Sequence, residues 1–116
     1  MGSKVNTGLG TVEITSEVLS TLAGLLTMEC YGVVGMAAKR KTDGIVELLG
    51  RDNFSRGVKL SVQENEINVD LYIMTEYGTP LSTIAKNVMD AVKNGLEQWT
   101  GLTVRAVNVT IESIKV

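Results

Sequence analysis

The side chains that most often carry chemistry in proteins are scarce in this sequence. It contains no histidine, and Cys30 is its only cysteine. Zinc sites need several cysteine or histidine ligands, and nucleophile–base triads need a base that titrates near neutral pH. One thiol cannot supply either kind of site. The residue types therefore argue against an enzyme, and we expect neither a metal nor a cofactor.

Cys30 is the first candidate for chemistry that remains. A cysteine becomes a nucleophile when a basic residue or a helix N-terminus lowers its pKa, whereas Cys30 falls near the end of a predicted helix. We interpret it as a buried structural thiol. Glu64 and Glu66 could form a carboxylate pair, but on a hairpin turn they lack the burial that raises the pKa of an acid. We interpret both as solvated turn residues.

A second polar group precedes the longest predicted helix. Glu76, Tyr77 and Thr79 lie where free backbone amides could hold an anion, although helix capping explains Thr79 without a ligand. An enzyme acting through carboxylates or lysine would need a cleft that collects Asp70, Glu76 or Lys86. Capping is the interpretation that we favour.

Residues 32–35 match the GxxG pattern of KH-type RNA-binding loops, and three basic residues follow at positions 39–41. Such a loop clamps a sugar-phosphate backbone, which suits polar or basic middle residues, whereas Val33 and Val34 favour burial. Aromatic residues make up only 4% of the chain, and the net charge is −2. A KH-like RNA-binding module is therefore the alternative hypothesis, and we do not expect a nucleic acid partner.

Length and composition predict one globular domain in a reducing compartment. A chain of 116 residues, 44% of them hydrophobic and 21% charged, has ordinary globular usage and needs no disulfide to fold. The single cysteine fits the cytoplasm, and no apolar run is long enough to cross a bilayer. We expect a cytoplasmic protein without direct membrane insertion. Residues 10–116 should form the domain, and residues 1–9 a tail whose Met-Gly-Ser start resembles a tag remnant.

The spacing of apolar residues predicts the order β-α-β, an irregular insert, then β-β-α-β. Alternation over residues 11–15, 58–62 and 67–73 predicts strands, and the short apolar run at residues 33–38 is typical of a buried strand. The break at residues 64–66 is short enough for a hairpin. In the last strand the alternation changes parity, which predicts a β-bulge near Ala106 or Val107.

Two helices complete the prediction. The first has Thr15 or Ser16 as its N-cap and stops at Gly32. The second has Thr79 as its cap, Pro80 as its first residue and Gly101 after its end. Apolar stripes at helical spacing should face the core: Val18, Leu22, Leu25 and Leu26 in the first helix, and Leu81, Ile84, Ala85, Val88, Val92, Leu96 and Trp99 in the second.

Residues 39–57 lack a regular pattern, and we treat them as an insert. Between Lys39 and Lys59 there are six basic and three acidic residues, a local charge of +3 that leaves −5 for the rest of the chain. Such a split can mark a surface that meets an acidic partner, the simpler alternative being a solvated loop. One or two helical turns should begin near Thr42 or Asp43. We expect contacts with a protein partner or another copy from Ile45, Leu48, Leu49, Arg51 and Arg56.

Several segments, taken in order, resemble the alkaline shock protein family of Gram-positive bacteria. The most specific are residues 29–36 (ECYGVVGM), 76–80 (EYGTP) and 99–104 (WTGLTV), and weaker matches bring the resemblance to nearly the whole chain. The resemblance implies a cytoplasmic protein related to envelope stress, without established enzymatic activity or a catalytic motif. It also implies a small transmembrane partner in some members and a fatty-acid kinase system in others.

The sequence and the resemblance together lead to one expectation. The fold should be a two-layer α+β domain with two main helices on one face of a mixed or mainly antiparallel sheet. The protein should act in the envelope or alkaline stress response as an interaction or scaffolding module. Its partner would be a small membrane anchor protein, a fatty-acid-kinase-type component or another copy of itself, and an anchor partner would bring it near the membrane.

Overall fold

A computed structural model describes residues 2–39, 46–48 and 57–115, with side chains over residues 4–37 and 57–112. The described part contains two helices and seven strands. Their bounds are β1 (Gly2–Thr7), β2 (Gly10–Thr15), α1 (Ser16–Met28), β3 (Val33–Lys39), β4 (Val46–Leu48), β5 (Val58–Gln63), β6 (Glu66–Glu76), α2 (Leu81–Thr100) and β7 (Thr103–Lys115).

Strand β6 is the centre of the main sheet. Strand β7 runs parallel to β6 along its whole length. The other edge of β6 pairs antiparallel with β5 over its first half and with β3 over its second half. Strand β4 extends the sheet beyond β3, while β1 and β2 form a separate two-stranded hairpin. The sheet is therefore mixed and mainly antiparallel, as the sequence predicts.

One face of the sheet and the two helices enclose the core. Alternate residues of β6, from Ile67 to Ile73, are fully buried, as the two-residue period of a strand requires. The side chains that pack with them come from both helices: Leu19 and Ala23 of α1, and Ile84, Val88, Val92 and Leu96 of α2. Each fully buried aliphatic side chain of this size contributes about 2 kcal/mol. The predicted two-layer α+β fold is confirmed.

The two helices begin in different ways. Thr15 caps α1, because its hydroxyl oxygen accepts a hydrogen bond of 3.3 Å from the Val18 amide, in agreement with the prediction. The prediction for α2 is wrong. Pro80 is the N-cap residue and not the first helical residue. The Thr79 hydroxyl donates to the Glu76 carbonyl over 2.7 Å, so it closes the preceding turn instead of capping the helix.

Two local features of the sheet agree with the sequence. Strands β5 and β6 are joined by Glu64 and Asn65, whose φ angles of 50° and 65° are typical of a type I′ hairpin turn. In β7, Arg105 is the extra residue of a β-bulge, one position before the predicted site. Because the bulge changes the parity of the strand, Val104 and Val107 are both buried.

Two segments differ from the prediction. Residues 2–7, expected to be part of a tail, form β1, which pairs antiparallel with β2 along its length. Residues 46–48, expected near a helical turn, form β4, which pairs with the end of β3. Pairing with a neighbouring strand determines both segments, and a local pattern does not reveal that pairing. The rest of the insert, residues 40–45 and 49–56, lies outside the described residues.

Candidate functional site

Two turns that carry the most specific segments of the sequence meet in the structure. One turn joins α1 to β3, and the other joins β6 to α2. Between them lies a cleft of about 360 Å³, termed here the tyrosine cleft and lined by Tyr31, Gly32, Val33, Val34, Glu76 and Thr79. The pairing of β3 with β6, which places Val33 opposite Thr75, brings the two segments together.

Contacts with the core fix the position of the cleft. Gly32 has a φ angle of +88°, which favours glycine. A Cβ atom at this position would clash with the side chain of Ile84, which is buried in α2. Glycine is therefore required at position 32 by the backbone conformation and also by the close approach of the helix.

One exposed tyrosine ring lines the cleft, and a second follows a lining residue along the chain. Tyr31 lines it and is 81% exposed, and Tyr77, which follows the lining residue Glu76, is 76% exposed. Tyrosine combines a rigid apolar ring with a hydroxyl group, which suits it to protein contacts. Glu76 gives the cleft negative charge, and the Thr79 hydroxyl is occupied within its own turn. The geometry therefore does not support an anion site here.

Cys30 precedes the cleft and is not arranged as a nucleophile. Its Sγ atom donates to the Leu26 carbonyl oxygen at 3.5 Å. Burial, followed by the charge of Glu29, raises the pKa of the Cys30 thiol. A raised pKa keeps the thiol protonated and lowers its reactivity. This environment agrees with a structural thiol, although the side chain is only partly buried.

The other candidate chemical groups are dispersed. Asp70 lies on the sheet face opposite the core, where it accepts a hydrogen bond of 2.8 Å from Asn108. Lys86 is exposed on α2, while Glu64 and Glu66 are exposed at the hairpin turn. Within residues 4–37 and 57–112, no three His, Cys, Asp or Glu side chains are grouped so that they could hold a metal ion. The structure does not bring together the residues that the enzyme alternative requires.

The GxxG segment is not a loop. Only Gly32 lies in a turn, whereas Val33, Val34 and Gly35 begin strand β3. Gly35 pairs with Met74 of β6, so this backbone belongs to the sheet. The geometry therefore gives no support to the KH-like alternative, in which the segment would clamp a nucleic acid backbone.

A second exposed surface lies on α1, where the predicted stripe is confirmed for Leu22 and Leu26, which pack against the core, and is wrong for Val18 and Leu25. The helix instead buries the residues Leu19, Ser20, Ala23, Gly24 and Thr27. Val18 and Leu25 remain 50% and 47% exposed. Together with Glu17, Thr21 and Leu22 they line a groove of about 330 Å³. The only charged residue of α1 is Glu17. This apolar composition indicates that one side of the helix could pack in the core and the other side could contact another molecule.

The predicted buried stripe of α2 is wrong at its two ends, because the structure leaves Leu81 37% and Trp99 72% exposed. The buried row of α2 advances in steps of four residues and ends at Thr100 instead. The Thr100 hydroxyl donates to the Leu96 carbonyl over 2.6 Å and accepts from the Leu102 amide over 3.1 Å. These hydrogen bonds let a threonine occupy the buried end of the row, while the indole faces solvent.

The partner-binding residues predicted in the insert can be placed only in part. Leu48 belongs to β4, and its backbone position pairs with Ala37 of β3. Ile45, Leu49, Arg51 and Arg56 lie outside the described residues. Their contact with a partner stays a prediction.

Comparison with known proteins gives close relatives of similar length. The chain is 39% identical over 117 residues to the uncharacterized protein YloU of Bacillus subtilis (strain 168), covering all of this chain and 98% of the relative. It is 38% identical to the uncharacterized protein Spy1614 of Streptococcus pyogenes serotype M6, covering all of this chain and 97% of the relative. A stress response regulator gls24 homolog of Streptococcus pyogenes serotype M3 is 26% identical, over 91% of this chain and 59% of the relative. No solved structure matches the chain.

Neither helix of the described part is long and apolar enough to span a membrane.

The family match covers almost the same length of the chain as the matches to these relatives. Residues 4–116 match the model of the ASP23 family, the alkaline shock protein family, which is described as having a "cell envelope-related function". This range includes both turns of the tyrosine cleft and the helical groove. The chain therefore belongs to the alkaline shock protein family of cell envelope-related proteins.

Proposed function

We propose that this chain is a non-enzymatic interaction or scaffolding protein of the envelope stress response that binds a protein partner through the tyrosine cleft. Membership of the family supplies the envelope setting. The observation that carries the proposal is the convergence of residues 29–36 and 76–80, which forms a cleft lined by the exposed Tyr31 and by Glu76, with the exposed Tyr77 next to Glu76 in the chain. Neither ring fills the core, so both are accessible to a partner.

The chemistry of the cleft favours a partner with a basic side chain. Glu76 places a carboxylate among the lining residues, and none of the described residues that line the cleft is lysine or arginine. An exposed tyrosine ring and a carboxylate together attract a lysine or arginine by cation–π and ionic contacts. Tyrosines at the centre of an interface typically cost about 2 kcal/mol or more when truncated.

The resemblance suggests the class of partner. A small membrane anchor protein or a fatty-acid-kinase-type component would bind the cleft, and an anchor would bring the chain near the membrane without its entering the bilayer. The insert, through Ile45, Leu48, Leu49, Arg51 and Arg56, would provide a further contact with a partner or with another copy.

A capture experiment with three forms of the chain tests this function. Wild type, the Tyr31→Ala/Tyr77→Ala variant and a Leu9→Ala control are each immobilised and exposed to nuclease-treated, detergent-solubilised membranes of the native organism. Leu9 is fully exposed in the β1–β2 turn, so the control removes an apolar group outside the cleft. Bound proteins are quantified by mass spectrometry, and circular dichroism checks that all three forms fold.

The expected result is a membrane anchor or kinase component that wild type and the control retain and the tyrosine variant loses. Equal retention by all three forms would contradict a role for the cleft. A partner that is bound only when nuclease is omitted would point to the RNA-binding alternative.

A further inference from the structure

We propose that the outer side of the two helices is a docking surface for the basic insert, residues 39–57, of a second copy of this chain. The inference rests on the proposed function and gives the scaffold a way to assemble with itself. The surface is termed the helical patch and comprises Val18, Thr21, Leu22, Leu25 and Trp99.

The antiparallel arrangement of the helices brings the two parts of the patch together. Leu26 of α1 lies against Gly95 of α2, where an added Cβ would be 2.6 Å from the Leu26 Cδ1 atom. Further along the chain, after the end of α1, Gly32 lies against Ile84 near the start of α2, so the two helices run antiparallel. The residue one turn before Leu26 in α1 therefore lies near the residue one turn after Gly95 in α2. These positions are Leu22 and Trp99, so the groove on α1 continues toward the exposed indole.

The patch is apolar and has an acidic edge. Helix α1 contains no lysine or arginine, and Glu17 lines its groove. Over residues 4–37 and 57–112 the chain has five basic and ten acidic residues. Such a surface favours an occupant that combines aliphatic side chains with positive charge.

The insert has this composition. Residues 39–56 contain five basic and three acidic residues, together with the aliphatic residues Ile45, Leu48 and Leu49. Packing α1 against its own copy would supply aliphatic side chains but no positive charge for Glu17, because α1 contains no lysine or arginine. Charge complementarity therefore selects the insert over a symmetric contact between helices.

The positions of the insert's two ends favour docking onto another copy. The insert begins at Lys39, next to the outermost strand β4, and ends at Gly57, beside Met36 and Ala37 of β3. Both ends are held at the sheet, whereas Val18, Thr21 and Leu25 of the patch lie on the exposed side of α1. A contact between two different surfaces repeats from copy to copy and builds a chain of subunits.

Trp99 provides a direct signal for docking, since it is the only tryptophan and is exposed. A synthetic peptide of residues 39–57 is titrated into the Leu48→Asp/Leu49→Asp chain, whose own insert is disabled. We expect a saturable blue shift of the Trp99 emission. Adding Val18→Ser/Leu25→Ser should weaken peptide binding about tenfold, equivalent to ~1.4 kcal/mol. Raised salt, or a peptide with its five basic residues replaced by glutamine, should also weaken binding.

Sedimentation velocity tests the geometry with the same two variants. Wild type should associate as its concentration rises, whereas the patch variant (Val18→Ser/Leu25→Ser) and the insert variant (Leu48→Asp/Leu49→Asp) should each remain monomeric. Mixed together, they should form a dimer that does not grow, because one intact patch meets one intact insert. Tyr31→Ala/Tyr77→Ala should leave this association unchanged.

Several results would overturn the inference: a wild-type chain that stays monomeric, a patch variant that associates as wild type does, or variants that fail to pair. A blue-shifted Trp99 emission in monomeric wild type that is absent from the insert variant would show that the insert docks within its own chain. It would contradict docking onto a second copy. Loss of partner capture with self-association intact contradicts only the proposed function. Loss of self-association with partner capture intact contradicts only this inference.

Discussion

Replacing Gly32 with alanine tests how the core holds the tyrosine cleft. Gly32 has a φ angle of +88°, and an added Cβ would overlap the buried side chain of Ile84. Gly78, in the other turn, is a matched control, because its φ angle is +87° and an added Cβ would have no atom within 4 Å other than those of Gly78 and its two chain neighbours. The two substitutions share the backbone strain and differ in the overlap.

The expected losses follow from these two contributions. A left-handed conformation costs an L-residue about 1–2 kcal/mol, so Gly78→Ala should lower the free energy of unfolding by that amount. Overpacking adds about 1–3 kcal/mol, which gives about 2–5 kcal/mol for Gly32→Ala. Ile84→Val removes the Cδ1 atom nearest to the added methyl group. It should therefore recover part of the loss caused by Gly32→Ala, although alone it costs about 0.5–1.5 kcal/mol.

Urea unfolding followed by circular dichroism measures all four variants, and the Gly32/Ile84 pair forms a double-mutant cycle. The cycle should show a favourable coupling of about 1 kcal/mol between Gly32→Ala and Ile84→Val. Equal losses for Gly32→Ala and Gly78→Ala, or simple addition of the Gly32→Ala and Ile84→Val losses, would refute the claim that contact with Ile84 fixes the turn.

Two further predictions concern titration. Because burial and Glu29 raise the pKa of Cys30, its folded thiol should react more slowly with a thiol reagent at mildly alkaline pH than in urea. The contribution of this thiol to stability is present at pH values below the pKa of Cys30 in the unfolded chain, and it is lost as the pH rises through the pKa of Cys30 in the folded chain. Cys30→Ser should therefore flatten the fall of stability at alkaline pH. The Glu97 carboxylate accepts a hydrogen bond of 2.9 Å from the Val104 amide, which lowers its pKa, and Lys93 at 3.5 Å lowers it further. The contribution of Glu97 to stability is present at pH values above its pKa in the unfolded chain, and it is lost as the pH falls through its pKa in the folded chain. An NMR titration should find the Glu97 midpoint below the ordinary value for glutamate, and Glu97→Gln should remove this acid dependence of stability.

The elements with a strong period can be predicted from the sequence. Helix α2 has one apolar row, and the structure buries Ile84, Val88 and Val92 from it. The parity change in β7 locates the bulge to within one residue, at Arg105, because only an extra residue keeps Val104 and Val107 on one face. These predictions depend on geometry within a single element, which the sequence carries directly.

The tyrosine cleft cannot be predicted in the same way. Residues 29–36 and 76–80 are each recognisable alone, but their meeting depends on β3 pairing with the second half of β6. Strand order arises from contacts between distant segments, and a local period does not encode it. The same reason explains why the local pattern does not reveal β1 and β4. Each is defined by the strand beside it.

Helix α1 shows why an apolar helix can conceal a surface. With Glu17 as its only charge, the helix has no polar side, so its period does not say which residues face the core. The structure buries small residues such as Ala23 and Gly24 and leaves Val18 and Leu25 half exposed. Polar residues at those two positions would not disturb the core, and exposed aliphatic residues favour association. The proposed docking of a second chain therefore depends on this exposed side of α1.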